Sequence, residues 1–505
     1  MSRALDHRDW PGLDPAGRWL PPPHRSSVHL SARANGWRRP SASGHEVSFA
    51  RTVARTFKRR LRPANGHPLA RGSLLLCSEV YHGSSALRLT ARGGETGEAA
   101  MVESADVIVI GSGGLGAATA YYLAKQSTCR VALLERLEIG SQTSPRAAGM
   151  VSCLRKSDLM IDLIKLAAAK IRQFSADTGQ PLDWVHSGSL KVARRPVDAE
   201  VIQEDILRGR RHGLDVEELS LDSAHRLNPF LQTTGVAAVM RIGDDMYFNP
   251  AQLAVGFARA AQANGAVLLP NTTVKRILIA DGEVSGVDTT CGRIRAPIVV
   301  DAAGAWTRQV AEASGIRVPL VTTAQQLFVT EPVPDARAEL PMIRIMDAAV
   351  YMRPCDGGFL WGVYEENPRF FDMNGFDANF DIKDLSLDAE VLWHYARDVA
   401  AQLPVLLKAG VREHRGGLPT MTADGQHIVG PAPAIRGFYF ASGCNVAGLS
   451  IAPALGEVLA EWIVDGASPM DLAPLSIGRF GTGPWPDDEL IRQAAWQYRH
   501  FYGAR

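Results

Sequence analysis

One loop constrains this chain more than any other feature. Gly111-Ser112-Gly113-Gly114-Leu115-Gly116 follows directly on Ala105-Asp106-Val107-Ile108-Val109-Ile110. That short, β-branched, nearly all-apolar run reads as a strand buried in a parallel sheet. Ala117 to Lys125 then reads as a helix, and Arg130-Val131-Ala132-Leu133-Leu134-Glu135 as a second strand. Strand, glycine turn, helix and strand in that order open a dinucleotide-binding unit. Gly111 permits the tight turn, Gly113 lets backbone approach a pyrophosphate, and Gly116 lets helix and strand pack closely. The phosphate charge then meets free N–H groups at the helix N-terminus. Glu135 lies 19 residues beyond Gly116, where a carboxylate accepts ribose hydroxyls. An acid there disfavours a 2′-phosphate and hence NADP. The loop alone leaves NAD and FAD open.

Composition narrows the function classes. A chain of 505 residues, 46% hydrophobic and 21% charged, suits a two-domain globular enzyme. The formal net charge of +1 hides an asymmetry. Of 54 basic and 53 acidic residues, 16 and 7 fall in residues 1–100, leaving 38 and 46 for the rest. Residues 1–102 lack a hydrophobic period and contain Pro21-Pro22-Pro23 and the basic run from Arg51 to Arg62. They are expected to be a disordered leader. A transit peptide and a nucleic-acid or membrane arm compete with translated upstream sequence and a working start at Met101, and the last reading is preferred. No nucleic-acid partner is expected.

Six cysteines without a C-x-x-C pair point to reduced thiols and a cytoplasmic protein. No apolar run is long enough for a membrane span. Metal-ligand spacing such as H-E-x-x-H is absent, so no metal is expected, and no G-x-S-x-G elbow supports a hydrolase.

The segment Arg136-Leu137-Glu138-Ile139-Gly140-Ser141-Gln142-Thr143-Ser144-Pro145-Arg146-Ala147-Ala148-Gly149-Met150 decides between the two cofactors. A small, Ser/Thr- and Ala/Gly-rich loop there serves a flavin, whose far end lies against bare backbone. It resembles the D-amino-acid-oxidase-like family of FAD-dependent oxidoreductases, nearest to the flavin half of dimethylglycine and sarcosine dehydrogenases. Further segments carry the same resemblance in the same order. They are Ile298 to Trp306 (IVVDAAGAW), Val321 to Thr330, Tyr351-Met352-Arg353-Pro354, Gly362 to Pro368, Gly417 to Gly425, and Gly443-Cys444-Asn445-Val446-Ala447-Gly448-Leu449-Ser450. Arg479 to Tyr502 resembles the end of that flavin half, and the folate-binding half that follows in those proteins is not expected here.

The resemblance implies an α/β protein, with a Rossmann-type, glutathione-reductase-like FAD domain and an interleaved antiparallel-sheet substrate domain. The FAD domain is expected over 103–185, 250–320 and 412–470, the substrate domain over 186–249 and 321–411, and a C-terminal tail over 471–505. Expected FAD contacts are Gly111, Ser112, Gly113, Gly114, Leu115, Gly116, Glu135, Arg136, Ser141, Thr143, Arg146, Ala147, Ala148, Gly149, Met150, Val274, Ala303, Gly304, Trp306, Gly443, Asn445, Val446, Ala447, Gly448, Leu449 and Ser450. The turn from Gly443 to Gly448 opens a helix over 450–464, whose N–H groups suit the flavin edge that gains negative charge on reduction.

Three departures from the resemblance matter. Arg146 stands where dimethylglycine dehydrogenases carry the His that bonds the flavin, so FAD is expected to be non-covalent. Pro419 replaces the carboxylate-binding Arg of glycine oxidases. Leu360 stands where sarcosine oxidases place an oxygen-activating Lys, which favours a dehydrogenase.

For the substrate, Tyr351 and Arg353 are expected on one face of a strand, with Tyr247, Gln325 and His414 as weaker candidates. Local patterning predicts a helix over 157–178 and a hairpin turning at Asp281-Gly282. The implied reaction is oxidation of the C–N bond of an amine or amino acid, such as sarcosine, dimethylglycine, glycine or a D-amino acid. Hydride would pass to flavin N5 and the imine would hydrolyse. Oxygen or an electron carrier would accept the electrons, and a homo-oligomer or partner subunit fits the class. A 2-hydroxy-acid dehydrogenase and a non-catalytic FAD-binding or electron-transfer subunit are the alternatives.

Overall fold

The computed structural model describes residues 102–503. The Arg-rich leader and the expected start at Met101 lie outside the described residues. The opening unit has β1 (Val107–Ile110), α1 (Gly114–Gln126) and β2 (Val131–Leu134) in the expected order. Each residue of β1 is buried because the sheet is covered on both faces. Val107 and Val109 enter a core built with helices, whereas Ile108 and Ile110 face a second core. Three further parallel strands and an antiparallel edge complete the sheet: β3 (Val267–Leu269), β4 (Ile298–Asp301), β5 (Ile428–Pro431) and β6 (Phe438–Ser442). Their order is β5-β6-β4-β1-β2-β3, and only β5 runs antiparallel to its neighbour.

The helices form where capping and patterning specify them. α2 (Asp158–Thr178) starts where Ser157 Oγ accepts from Met160 N and ends at left-handed Gly179. Met160, Leu163, Ile164, Ala167, Ile171 and Phe174 bury one face. α3 (Pro250–Ala263) and α4 (Gly448–Asp465) pack beside α1. Small residues allow the close approach: a Cβ on Gly456 of α4 would sit 2.6 Å from Ala118 Cβ of α1. The hairpin joins Val274–Ala280 to Glu283–Thr289, with left-handed Asp281 and Gly282 at its turn.

The second layer is an eight-stranded sheet. Its order is Val411–Gly417, Gln325–Thr330, Gly358–Val363, Val350–Cys355, Met342–Ile345, Ser189–Ala193, Ala238–Ile242 and Val216–Leu219. All neighbours are antiparallel except Met342–Ile345 against Ser189–Ala193.

One strand crosses an expected boundary. Val411–Gly417, expected mostly within the FAD segment, pairs along its length with Gln325–Thr330. Within the expected C-terminal tail, α5 (Asp487–Arg499) buries Leu490, Ala494 and Tyr498. That stripe packs with Tyr351, Leu360, Tyr364 and Met421. Among the described residues, no helix is long and apolar enough to cross a membrane.

Candidate active site

A long cleft runs from the carboxyl ends of β1, β2 and β4 to the eight-stranded sheet. At its first end the glycine loop is held by contacts that exclude side chains. Gly111 adopts φ +93°, and a Cβ there would lie 2.5 Å from Ala302 O. A Cβ on Gly116 would lie 1.9 Å from Gly111 O. The N-cap Gly113 offers α1 no side-chain cap, and Ser144 Oγ accepts from Gly114 N at 2.9 Å. The helix therefore presents backbone donors to the cleft, as an anion site requires.

Glu135 lines the cleft while bracing the loop. Its carboxylate accepts from Ser112 N at 2.9 Å, Ser112 Oγ at 2.7 Å and Leu137 N at 3.2 Å. Gly113, Gly114, Leu115, Arg136, Val274, Ala303, Gly304 and Trp306 join the lining. The Arg136 guanidinium stacks 4.2 Å above the Trp306 ring and donates to the carbonyls of Ala378 and Phe380.

Two residues expected to touch the cofactor lie behind this wall. Ser112 is fully buried, and its Oγ accepts from Gly140 N at 2.8 Å, which ties the two loops together. Gly116 faces Gly111 because close helix–strand packing is its task.

The second loop lines the middle of the cleft through Thr143, Arg146, Ala147, Ala148, Gly149 and Met150. Thr143 Oγ1 clamps Leu418, donating to its O at 3.3 Å and accepting from its N at 3.2 Å. The Arg146 Nε is buried without a hydrogen bond. Ser141 lies off the cleft, where its Oγ accepts from Gln142 Nε2.

Opposite stands the turn into α4, where Val446, Ala447, Gly448, Leu449 and Ser450 line the cleft. Asn445 and Val446 are consecutive left-handed residues, φ +43° and +55°. For a β-branched side chain such backbone is strained, and strain of this kind collects at functional sites. Gly443 and Asn445 are themselves off the cleft. Asn445 accepts from Thr422 N at 3.0 Å and donates to Gly443 O at 2.6 Å, so it fixes the turn from behind. α4 begins without a side-chain cap, leaving its N–H groups facing inward.

The far end carries the substrate-type chemistry. Arg155, Gln325, Arg344, Tyr351, Tyr364, Phe501 and Tyr502 all line it. Arg344 is buried in an ion pair with the fully buried Asp245, and it donates to Ser152 Oγ at 2.6 Å. Arg155 differs: its Nη2 donates to Ser450 Oγ at 3.3 Å, its Nε has no partner, and among the described residues it forms no ion pair. Burial lowers its pKa; Asp245 opposes that and the Arg344 charge adds to it. Such a guanidinium, desolvated and unpaired, is poised for an anion.

Tyr351 reaches the cleft as expected, with its hydroxyl accepting from Gln325 Nε2 at 3.4 Å. Arg353 does not, and its expected substrate role is corrected. Its guanidinium turns away to donate to Ala148 O at 2.5 Å and Pro354 O at 2.7 Å, stacked 4.7 Å over Tyr247. It holds the second loop in place. Tyr247 donates to Ala338 O, and His414 contacts Gln326, so neither enters the cleft.

Sequence reasoning missed Arg155, Arg344, Tyr364, Phe501 and Tyr502. For Arg344 a signal existed: a lone cation inside Met342-Ile343-Arg344-Ile345, a strand otherwise wholly apolar. Among the lining residues Glu135 is the sole carboxylate, and neither His nor Lys occurs.

Donor-bearing glycine turn, carboxylate at the second strand end and an uncapped second helix facing the same cleft suit an adenine dinucleotide extended toward the arginines. The comparisons agree. A family model described as FAD dependent oxidoreductase matches residues 106–462. The chain is 31% identical over 383 residues to "Sarcosine dehydrogenase, mitochondrial" of Homo sapiens, covering 75% of this chain and 41% of that protein. It is 28% identical over 439 residues to "Dimethylglycine dehydrogenase, mitochondrial" of Homo sapiens, covering 83% and 50%. It thus spans half or less of these relatives. The crystal structure of glycine oxidase from Geobacillus kaustophilus superposes with a TM-score of 0.67 at 25% identity, covering 76% of this chain and 100% of that one.

Proposed function

The chain belongs to the family of FAD-dependent oxidoreductases, and from that premise we propose that it oxidises the C–N bond of an N-alkylated amino acid. The observation that carries this reading is Arg155, a half-buried arginine whose buried Nε has no hydrogen bond and which forms no ion pair among the described residues, at the end of the cleft remote from the glycine loop. A carboxylate completes its hydrogen bonds and its charge. The similarity to sarcosine and dimethylglycine dehydrogenases supports an N-methylated substrate.

The geometry performs most of the remaining work by placement. FAD, when bound, supplies the hydride acceptor. Arg155 takes the substrate carboxylate, and Arg344, held by Asp245, adds a second positive centre. The amine enters in its neutral form. No general base is needed, in keeping with a substrate end that has neither carboxylate nor imidazole. The N-terminus of α4 favours negative charge on whatever group lies against it. Arg146 offers a guanidinium and no nucleophile, which supports a dissociable FAD. Leu360 is buried in the core and no Lys lines the cleft, which favours transfer of electrons to a carrier over rapid reaction with oxygen.

The test is a screen for flavin bleaching without oxygen, using N-methylated amino acids, primary amino acids and 2-hydroxy acids. N-methylated amino acids should bleach the flavin at least tenfold faster than primary ones. Bleaching by 2-hydroxy acids alone would overturn the proposal.

A further inference from the structure

The end of the chain turns back into the cleft. After α5, Phe501 and Tyr502 line the same chamber as Arg155 and Arg344. The turn is fixed by covalent neighbours: Lys156 Nζ donates to His500 O at 3.0 Å, and Tyr498 is fully buried. Tyr364 stands at the centre of the resulting cluster. Its ring lies 4.5 Å from Phe501, 5.2 Å from Tyr502 and 5.7 Å from Tyr351. The Tyr351 hydroxyl accepts from Gln325 Nε2 at 3.4 Å. Four aromatic rings thus gather at one side of the chamber. Beside them lie Arg155 and Arg344, whose charges act on Tyr364.

We propose that Phe501 and Tyr502, with Tyr351 and Tyr364, form an aromatic wall that receives the alkyl substituent on the substrate nitrogen, so that the C-terminal segment sets specificity. The inference rests on the amine-oxidation reading of the same site. A carboxylate on Arg155 puts the rest of a small amino acid among these rings, whose carbon faces suit a methyl group better than a spare N–H. A methyl group there leaves water for an apolar face. A site that binds a methyl by burial favours the methylated amine over the primary one.

The test uses the FAD-loaded protein and two ligands that cannot be oxidised as amines. Acetate engages the carboxylate anchor alone; methoxyacetate, the ether isostere of N-methylglycine, adds a methoxy group whose methyl stands for the N-methyl. Binding is read as a perturbation of the flavin visible spectrum. Wild-type protein should bind methoxyacetate more tightly than acetate, and Phe501→Ala should cut that preference by roughly threefold to tenfold while acetate binding and FAD content stay constant. Tyr502→Phe keeps the ring and should keep the preference, which separates a lost wall from a lost fold. If Phe501→Ala loses FAD, Phe501→Leu is read instead and should lower the preference less. No preference in the wild type, or an equal loss for both ligands, overturns the wall. If the preference behaves as stated but no amine bleaches the flavin, the wall stands and the amine-oxidation reading falls.

Discussion

Replacing Arg155 with Met separates substrate binding from folding. The side chain reaches the cleft, donates to Ser450 Oγ at 3.3 Å, and has neither an ion-pair partner among the described residues nor a hydrogen bond at Nε. Ser450 retains its bond to Ala447 O at 2.8 Å, so the substitution orphans little. Removing the cation also relieves its desolvation and the repulsion from Arg344, against the loss of the attraction to Asp245. Thermal stability should therefore hold or rise slightly. The substrate carboxylate, however, loses a buried charged partner, which costs about 2 to 5 kcal/mol, or roughly thirtyfold to several thousandfold in kcat/KM. The assay is stopped-flow reduction of the flavin by an N-methylated amino acid without oxygen, with FAD content and Tm measured alongside. A kcat/KM within about threefold of wild type would refute the anchor. A fall in Tm with loss of FAD would mean that Arg155 is structural.

Three further outcomes follow from the same geometry. Acid precipitation should release the yellow chromophore into the supernatant, since Arg146 offers no carbon-bonding nucleophile; colour in the pellet would refute a dissociable FAD. Glu135→Ala removes the acceptor of Ser112 N and Leu137 N as well as the ribose contact, and should weaken FAD binding by about tenfold or more; an unchanged dissociation constant would misplace the ribose. Asp301 is fully buried with one oxygen unpartnered, and burial raises its pKa to about 7 despite donation from Ala303 N and Thr307. An acid raised above its unfolded value takes stability away as pH climbs from about 4 to about 7, after which the loss is constant. Asp301→Asn should thus raise Tm more at pH 8 than at pH 5, and an equal gain at both would refute that titration.

The sequence by itself determined the cofactor end. Its signals are local: strand, turn, helix and strand are contiguous, and the glycines answer to steric limits within a few residues, as with Gly116 against Gly111 O. The same holds for the Ser157 cap of α2 and the turn at Asp281-Gly282, because caps and turns are short-range bonds. Strand spacing also brought Tyr351 to the cleft but misjudged Arg353. Period two fixes a face, not where a flexible guanidinium ends, and the carbonyl of Ala148 lies 205 residues away in sequence.

Only the tertiary structure decided the substrate end. Arg155, Arg344, Tyr364 and Tyr502 come from four separated segments, and Asp245, which fixes Arg344, from a fifth. No spacing rule links them, since each is placed by the packing of the sheet against α2, α4 and α5. The glycine loop announces a dinucleotide within six residues; the chamber it serves exists only once the last helix has folded back upon it.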